Sequence, residues 1–353
     1  MKALRYHARG DFRLDDVAEP VVRDGWVIVD VEWSGVCGSD LHEFEHGPIQ
    51  VPQNEPHAVT GEQVPVILGH EFAGTVSEVG SGVENLRVGD RVTVEPLTHC
   101  QECDQCWAGR YHLCRRRAIV GVHGGSGGFS ARALVPAYAA HKLPDSVSTD
   151  VGALVEPLAV AWHSARTLGF KAGQTALVMG AGPIGLATLL CLRAFGASKV
   201  YVGVRRPGER KSRAQLLGAD KVFDSSEVDI VDAVMSATNG LGVDAVFETS
   251  GAQDAMDTAL KAVCLAGRIA TVAVWPEPGR LDFMMLLLKE VRLVGSMCYS
   301  HDFQPVIEAL ADGRIAGAEH LITKRVALED VMTEGIGALL ADRSQHLKVL
   351  VHP

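Results

Sequence analysis

Positive charge is the scarcer sign in this chain of 353 residues: 33 Lys and Arg face 43 Asp and Glu, a formal charge of −10. Such a balance gives polyanions no general attraction, so nucleic acid is not an expected partner. The signature of disorder is also missing, since apolar residues make up 47% and charged residues only 22%. Internal repeats and low-complexity tracts are lacking. The opening Met1-Lys2-Ala3-Leu4-Arg5-Tyr6 meets charge at once and leads into no apolar signal core, so a cytoplasmic protein is expected. Long apolar runs are scarce as well. One uncharged stretch, Thr175 to Leu192, is long enough to raise a membrane span, but Gly180, Gly182, Pro183 and Gly185 interrupt it. No membrane partner is expected.

What is present divides into two textures, and at about 100–200 residues per domain the length suggests two domains. To about residue 150 the chain reads as short strands broken by glycine and acidic turns, such as Val27-Ile28-Val29-Asp30-Val31-Glu32, Gly74 to Gly80 and Val88 to Val94. That pattern predicts a β-rich, barrel-like or sandwich domain. From about Lys171 strands alternate with helices: Thr175–Met179, the apolar segment Ile184 to Phe195, Val200–Val204, a polar helix to Leu217, then strands at Ala245–Phe247 and Arg268–Val272. Near-continuous apolar strands in this rhythm predict a parallel sheet covered on both faces. The rhythm ends after Val294, and the remaining chain is expected to rejoin the first domain. The expected domains are therefore 1–152 with 298–353, and 153–297.

Four of the eight cysteines, Cys100, Cys103, Cys106 and Cys114, are spaced C-x2-C-x2-C-x7-C. Four thiolates satisfy a tetrahedral zinc with no open position, the chemistry of a structural site. Disulfides fit a reduced compartment poorly, and an iron–sulfur cluster draws support from the tight spacing alone. A second group is dispersed: Cys37 in Gly35-Val36-Cys37-Gly38-Ser39-Asp40-Leu41-His42, His70 and Glu71 in Gly69-His70-Glu71-Phe72, and Glu156 in Val155-Glu156-Pro157. One thiolate, one imidazole and carboxylates provide three ligands and leave a fourth position open, the arrangement of catalytic zinc.

Gly180-Ala181-Gly182-Pro183-Ile184-Gly185 fits G-x-G-x-x-G between a predicted strand and helix, the turn that brings a dinucleotide pyrophosphate to a helix N-terminus. An NAD site usually has an acid about 20 residues on. No Asp or Glu lies between Gly185 and Glu209, and the strand end reads Val204-Arg205-Arg206. Guanidinium groups there would bind a 2′-phosphate, so NADP(H) is the expected cofactor, with NAD(H) the alternative if both arginines are only solvated.

With these motifs in this order, together with Val88-Gly89-Asp90-Arg91-Val92, the chain resembles the zinc-dependent medium-chain dehydrogenase/reductase family over essentially its whole length. The resemblance implies an α/β protein: a GroES-like, β-rich catalytic domain and a Rossmann domain with a doubly wound parallel sheet. It implies two zinc ions per chain, Cys37 and His70 as catalytic zinc ligands, and a further carboxylate ligand. Glu71 and Glu156 both qualify for that place, and either could instead hydrogen-bond behind the ligands. The zinc would act as a Lewis acid on a substrate hydroxyl. Ser39 matches the hydroxyl that touches the substrate oxygen, and His42 the outer base that relays its proton. Thr249, Val272, Val274 and Ser296 are implied as further cofactor contacts beside Val204. The loop Glu43 to Val66 and the phrase Glu156-Pro157-Leu158-Ala159-Val160-Ala161-Trp162-His163 are most similar to the butanediol and polyol dehydrogenase branch. The resemblance thus implies a small vicinal diol or hydroxyketone as substrate, such as 2,3-butanediol with acetoin. An NAD-dependent polyol (sorbitol-type) or threonine dehydrogenase is the alternative. Val291 to Ser296 reads as the last sheet strand, whose edge in this family pairs with its twin in a homodimer or homotetramer. Met284 to Leu288 is expected as a packed helix, and Cys191, Cys264 and Cys298 as small buried residues.

Overall fold

The computed structural model describes residues 1–205, 208–342 and 345–353. Two compact units emerge, one of Met1–Glu156, Phe303–Ala311 and Ile322–Pro353, the other of Pro157–Asp302 and Asp312–Leu321.

In the first unit the long strand Trp26–Gly35 is the hub of a seven-stranded sheet. It pairs antiparallel with Glu71–Val79, Arg132–Pro136 and the C-terminal strand Lys348–His352. Branched residues suit this pleated, two-sided burial. Val27, Val29, Val31, Phe72, Val76, Val92 and Val94 form one core. A second gathers Leu4, Tyr6, Val36, Leu41, Leu68, Phe129, Val349 and Val351. Val36, Leu41 and Leu68 in this core anchor the segments that carry Cys37 and His70.

The second unit is a six-stranded parallel sheet with edge-to-edge order Lys221–Asp224, Lys199–Val204, Thr175–Met179, Val243–Glu248, Val263–Thr271 and Arg292–Gly295. In chain order this is 3-2-1-4-5-6, the doubly wound arrangement with its switch point between the first and fourth strands. The uncharged stretch Thr175 to Leu192 resolves into one strand and the helix Pro183–Ala194, which buries Gly185 through Leu192. Among the described residues no helix is long and apolar enough to cross a membrane.

Some expectations change. Residues 153–156 belong to the first unit and 298–302 and 312–321 to the second, so the chain passes between units more often than the sequence rhythm suggested. The helix Phe283–Leu288 forms but packs only in part: Met285 and Leu286 lie against the core of the second unit, whereas Phe283, Met284, Leu287 and Leu288 are each about two-thirds exposed. An apolar run identifies a helix without saying what covers it. Cys191 is fully buried, whereas Cys264 and Cys298 are only half-buried.

The glycine turn depends on backbone that only glycine can follow. Gly180 has φ +110, and a Cβ on Gly185 would collide with the Gly180 carbonyl. Gly185→Ala should destabilise the protein by about 1–3 kcal/mol and weaken dinucleotide binding, read by thermal denaturation and by quenching titration with reduced cofactor. Unchanged melting and binding would show that the turn has slack.

Candidate active site

The four clustered cysteines come together in a lobe between Thr98 and Ala118. Their sulfurs stand 3.4 Å (Cys100–Cys114), 3.6 Å (Cys103–Cys106), 3.8 Å (Cys103–Cys114) and 3.9 Å (Cys100–Cys106) apart. A tetrahedral zinc with Zn–S near 2.3 Å requires edges of about 3.8 Å. A disulfide needs about 2.05 Å, and an iron–sulfur cube would spread its cysteines around a larger body. The donors fit a single closed ion. Behind the lobe, Tyr111 donates to the buried Glu95 at 2.5 Å, and Glu95 also meets His141 at 3.0 Å.

The dispersed group also converges. Cys37 is the N-cap of the helix Gly38–His46, at the positive end of the helix dipole, a place suited to an anionic sulfur. Asp40, buried on the same helix, accepts from the Cys37 N–H at 2.9 Å. His70 and Glu71 arrive where the strand Glu71–Val79 begins. One ligand atom from each of Cys37, His70 and Glu71 lies within 4.8 Å of the other two. Glu156, buried at the first turn of the helix Val155–Leu168, is not in that trio, but its charge reaches both His70 and Lys348. Ser39 Oγ is 3.4 Å from His70 Nε2, and His42 sits half-buried on the same helix.

The electrostatics show a surplus of negative groups. Burial alone would lower the His70 imidazole, yet the adjacent Cys37 sulfur, with Asp40 and Glu156, drives it well above its ordinary value. Burial pushes the Asp40 carboxyl up to about 6 against the opposing pull of His70. Sulfur, imidazole and carboxylate donors around such a surplus are what a borderline-soft divalent ion satisfies. The residues present fit zinc.

Every described residue expected at the cofactor lies on the carboxyl edge of the parallel sheet or in the turn beyond it. Gly182 caps the helix Pro183–Ala194, and among the described residues a Cβ there would meet nothing within 4 Å, so the backbone at the helix N-terminus is open to a ligand. Val204 is buried at its strand end and Arg205 follows it, exposed; Arg206 lies outside the described residues. Thr249 donates to the Met179 carbonyl at 2.9 Å and so braces the glycine turn. Val272 follows its strand half-buried, and Val274 is exposed. The Ser296 hydroxyl is buried with no hydrogen-bond partner among the described residues, an orphan that a bound dinucleotide would satisfy. These features fit a dinucleotide.

Two residues escaped the sequence reading. Glu248, fully buried, accepts from the Ser250 N–H, the Ser250 hydroxyl and the Gly251 N–H at 2.7, 2.6 and 2.9 Å, holding the turn beside Gly180. Lys348, also buried, donates to Glu71 at 2.7 and 2.6 Å and to the Val36 carbonyl at 3.2 Å. The available signal was a single lysine opening the apolar run Lys348-Val349-Leu350-Val351.

A β-rich unit with a closed and an open metal cluster, joined in one chain to a doubly wound sheet, defines a medium-chain zinc dehydrogenase. Comparison with known proteins agrees. Residues 23–145 match the alcohol dehydrogenase GroES-like domain and residues 183–312 the zinc-binding dehydrogenase domain. The chain is 41% identical to (R,R)-butanediol dehydrogenase of Bacillus subtilis (strain 168), covering 100% of both chains. The crystal structure of 2R,3R-butanediol dehydrogenase from Bacillus subtilis superposes with a TM-score of 0.94 at 40% identity, covering 100% of this chain and 99% of that one. A Sinorhizobium meliloti 1021 chain crystallised with NADP superposes with a TM-score of 0.89 at 30% identity, with coverage of 100% and 99%. The protein belongs to the zinc-binding medium-chain alcohol dehydrogenase family. It is an oxidoreductase acting on CH–OH donors.

Proposed function

We propose that this enzyme moves hydride between a nicotinamide dinucleotide, NADP(H) by preference, and a vicinal diol or its hydroxyketone, with 2,3-butanediol and acetoin as the representative pair. The trio Cys37, His70 and Glu71 carries the reading. Zinc held there, with Glu156 as a further carboxylate, supplies Lewis acidity toward the substrate hydroxyl. A diol offers two donor oxygens to such an open site, and the likeness to butanediol dehydrogenases supports that choice. Ser39 receives the hydroxyl proton. His42, three residues along the same helix, passes it outward, since an imidazole with an ordinary pKa near 6.5 can both accept and release it near neutrality. Cys100, Cys103, Cys106 and Cys114 hold a second, structural zinc.

At the adenosine end, Arg205 with Arg206 takes the 2′-phosphate, and Gly180, Gly182, Pro183, Ile184 and Gly185 seat the pyrophosphate at the helix N-terminus. The NADP-bound relative supports this preference. The uncovered face of Phe283–Leu288, beside the edge strand Arg292–Gly295, is assigned to a second copy of the chain.

Three measurements test these assignments. kcat/KM should favour NADPH over NADH by about tenfold or more, the size of one charge-assisted hydrogen bond, and should favour 2,3-butanediol over simple monoalcohols, sorbitol and threonine. A strong NADH preference removes the phosphate assignment, and equal turnover of a monoalcohol removes the diol. Metal analysis should return about two zinc ions per chain. His70→Ala should lose one together with turnover while staying folded, and Cys103→Ser should lose the other and melt several degrees lower. A Cys103→Ser protein that is stable but inactive would reverse the division of roles. Light scattering should find at least a dimer at micromolar concentration, and a monomer would leave the apolar face unexplained.

A further inference from the structure

Three strands of the first unit meet at a buried ion pair, Glu71 with Lys348, whose lysine the proposed chemistry does not use. Gly35 ends Trp26–Gly35, Glu71 opens Glu71–Val79, and Lys348 opens Lys348–His352. Gly35 stands opposite Glu71 in one ladder and opposite Leu350 in the other. A Cβ on Gly35 would collide with the Glu71 carboxylate and stand 3.2 Å from Lys348 Cδ, so the carboxylate occupies space that only glycine leaves. Both Glu71 oxygens receive the ammonium, at 2.7 and 2.6 Å, and the two residues are 1% and 2% exposed. This carboxylate is also one of the three groups gathered around the candidate metal position.

Resting on the reading of Cys37 and His70 as zinc ligands, we propose that Lys348 is a positioning residue that weakens the metal's hold. By taking a share of the Glu71 carboxylate, it leaves the ion less tightly bound and more electron-poor than Glu71 alone would.

The charges support this assignment. A Cys37 thiolate and the Asp40, Glu71 and Glu156 carboxylates crowd this position, and a divalent ion and one ammonium offset them around a neutral His70. Buried charge is tolerated when it is balanced in this way. Removing the ammonium deletes a repulsion on the cation and returns the full charge of Glu71 to it. Groups behind metal ligands commonly alter metal affinity by about 10–100-fold. Here the sign is set: loss of Lys348 tightens binding and reduces Lewis acidity.

The test follows zinc transfer from the loaded enzyme to a chromogenic chelator, and the sulfur-to-cobalt charge-transfer band after cobalt is exchanged into the Cys37 cluster. Lys348→Met should release zinc about tenfold more slowly and shift the band to shorter wavelength, while Lys348→Arg stays near the unmodified enzyme. Release as fast as or faster than in the unmodified enzyme overturns the proposal. Should Lys348→Met fail to fold, Glu71→Gln carries the test: faster zinc release supports the proposal, and an unchanged rate means that Lys348 has no lever on the metal. A charge-transfer band untouched by Cys37→Ser would instead remove the reading of Cys37 as a ligand, leaving the Lys348–Glu71 pair a structural brace.

Discussion

A concentration of negative charge inside a β-rich unit is the constraint around which the candidate site is organised. Cys37, Asp40, Glu71 and Glu156 converge on one region, and Asp40 and Glu71 are almost wholly shielded from water. Left unbalanced, such a group would shift its protonation or open to solvent. The fold supplies the Lys348 ammonium from the C-terminal strand, His70 joins as a neutral donor, and the negative charge that remains calls for a cation. The long pairing of Trp26–Gly35 with Glu71–Val79 gains its purpose from this balance, because it fixes Gly35 opposite Glu71.

The cofactor side is governed by geometry rather than charge. A parallel sheet sends all its carboxyl ends to one edge, and a doubly wound order opens a crevice where neighbouring connections diverge. Gly180 to Gly185, Val204, Arg205, Thr249, Val272 and Ser296 are far apart in sequence, yet each ends or follows one of five of the sheet's strands. Glu248 and Thr249 hold the turns at that edge by hydrogen bonds to backbone. Expected cofactor contacts and structural braces are therefore interleaved along the same few residues.

Features written in local sequence were legible. The glycine turn was visible because strand, glycines and helix adjoin, and the strand cores because Val and Ile runs carry their own pattern. Cys37 and His70 could be put forward as candidates because each sits in a short recognisable phrase, whereas the sequence left Glu71 and Glu156 as rivals for the third place. Lys348 was hidden because its partner Glu71 lies 277 residues away and its own surroundings read as an ordinary apolar strand. The exposure of Met284 and Leu287 was hidden for a related reason: periodicity reports which face of a helix is apolar, not whether the rest of the chain covers it. The interleaving of the two units after residue 298 depends on which helix finds which core, and composition does not record that.

The two metal clusters place opposite demands on the chain. The closed lobe draws all four sulfurs from 15 residues, Cys100 to Cys114, so an ion can gather them with little help from the rest of the fold. The open cluster gathers residues 37, 70 and 71, with the charges of 156 and 348 beside it, and it exists only once the strands around Trp26–Gly35 have paired. A site assembled so late in sequence distance can have each donor held from a different direction, and one coordination position can be left free because the backbone, rather than a fourth ligand, fixes the geometry. The compact spacing that makes the closed cluster easy to recognise also offers four sulfurs, enough to fill every position on a tetrahedral ion. Under the proposed function, reactivity belongs to the cluster that the sequence scatters.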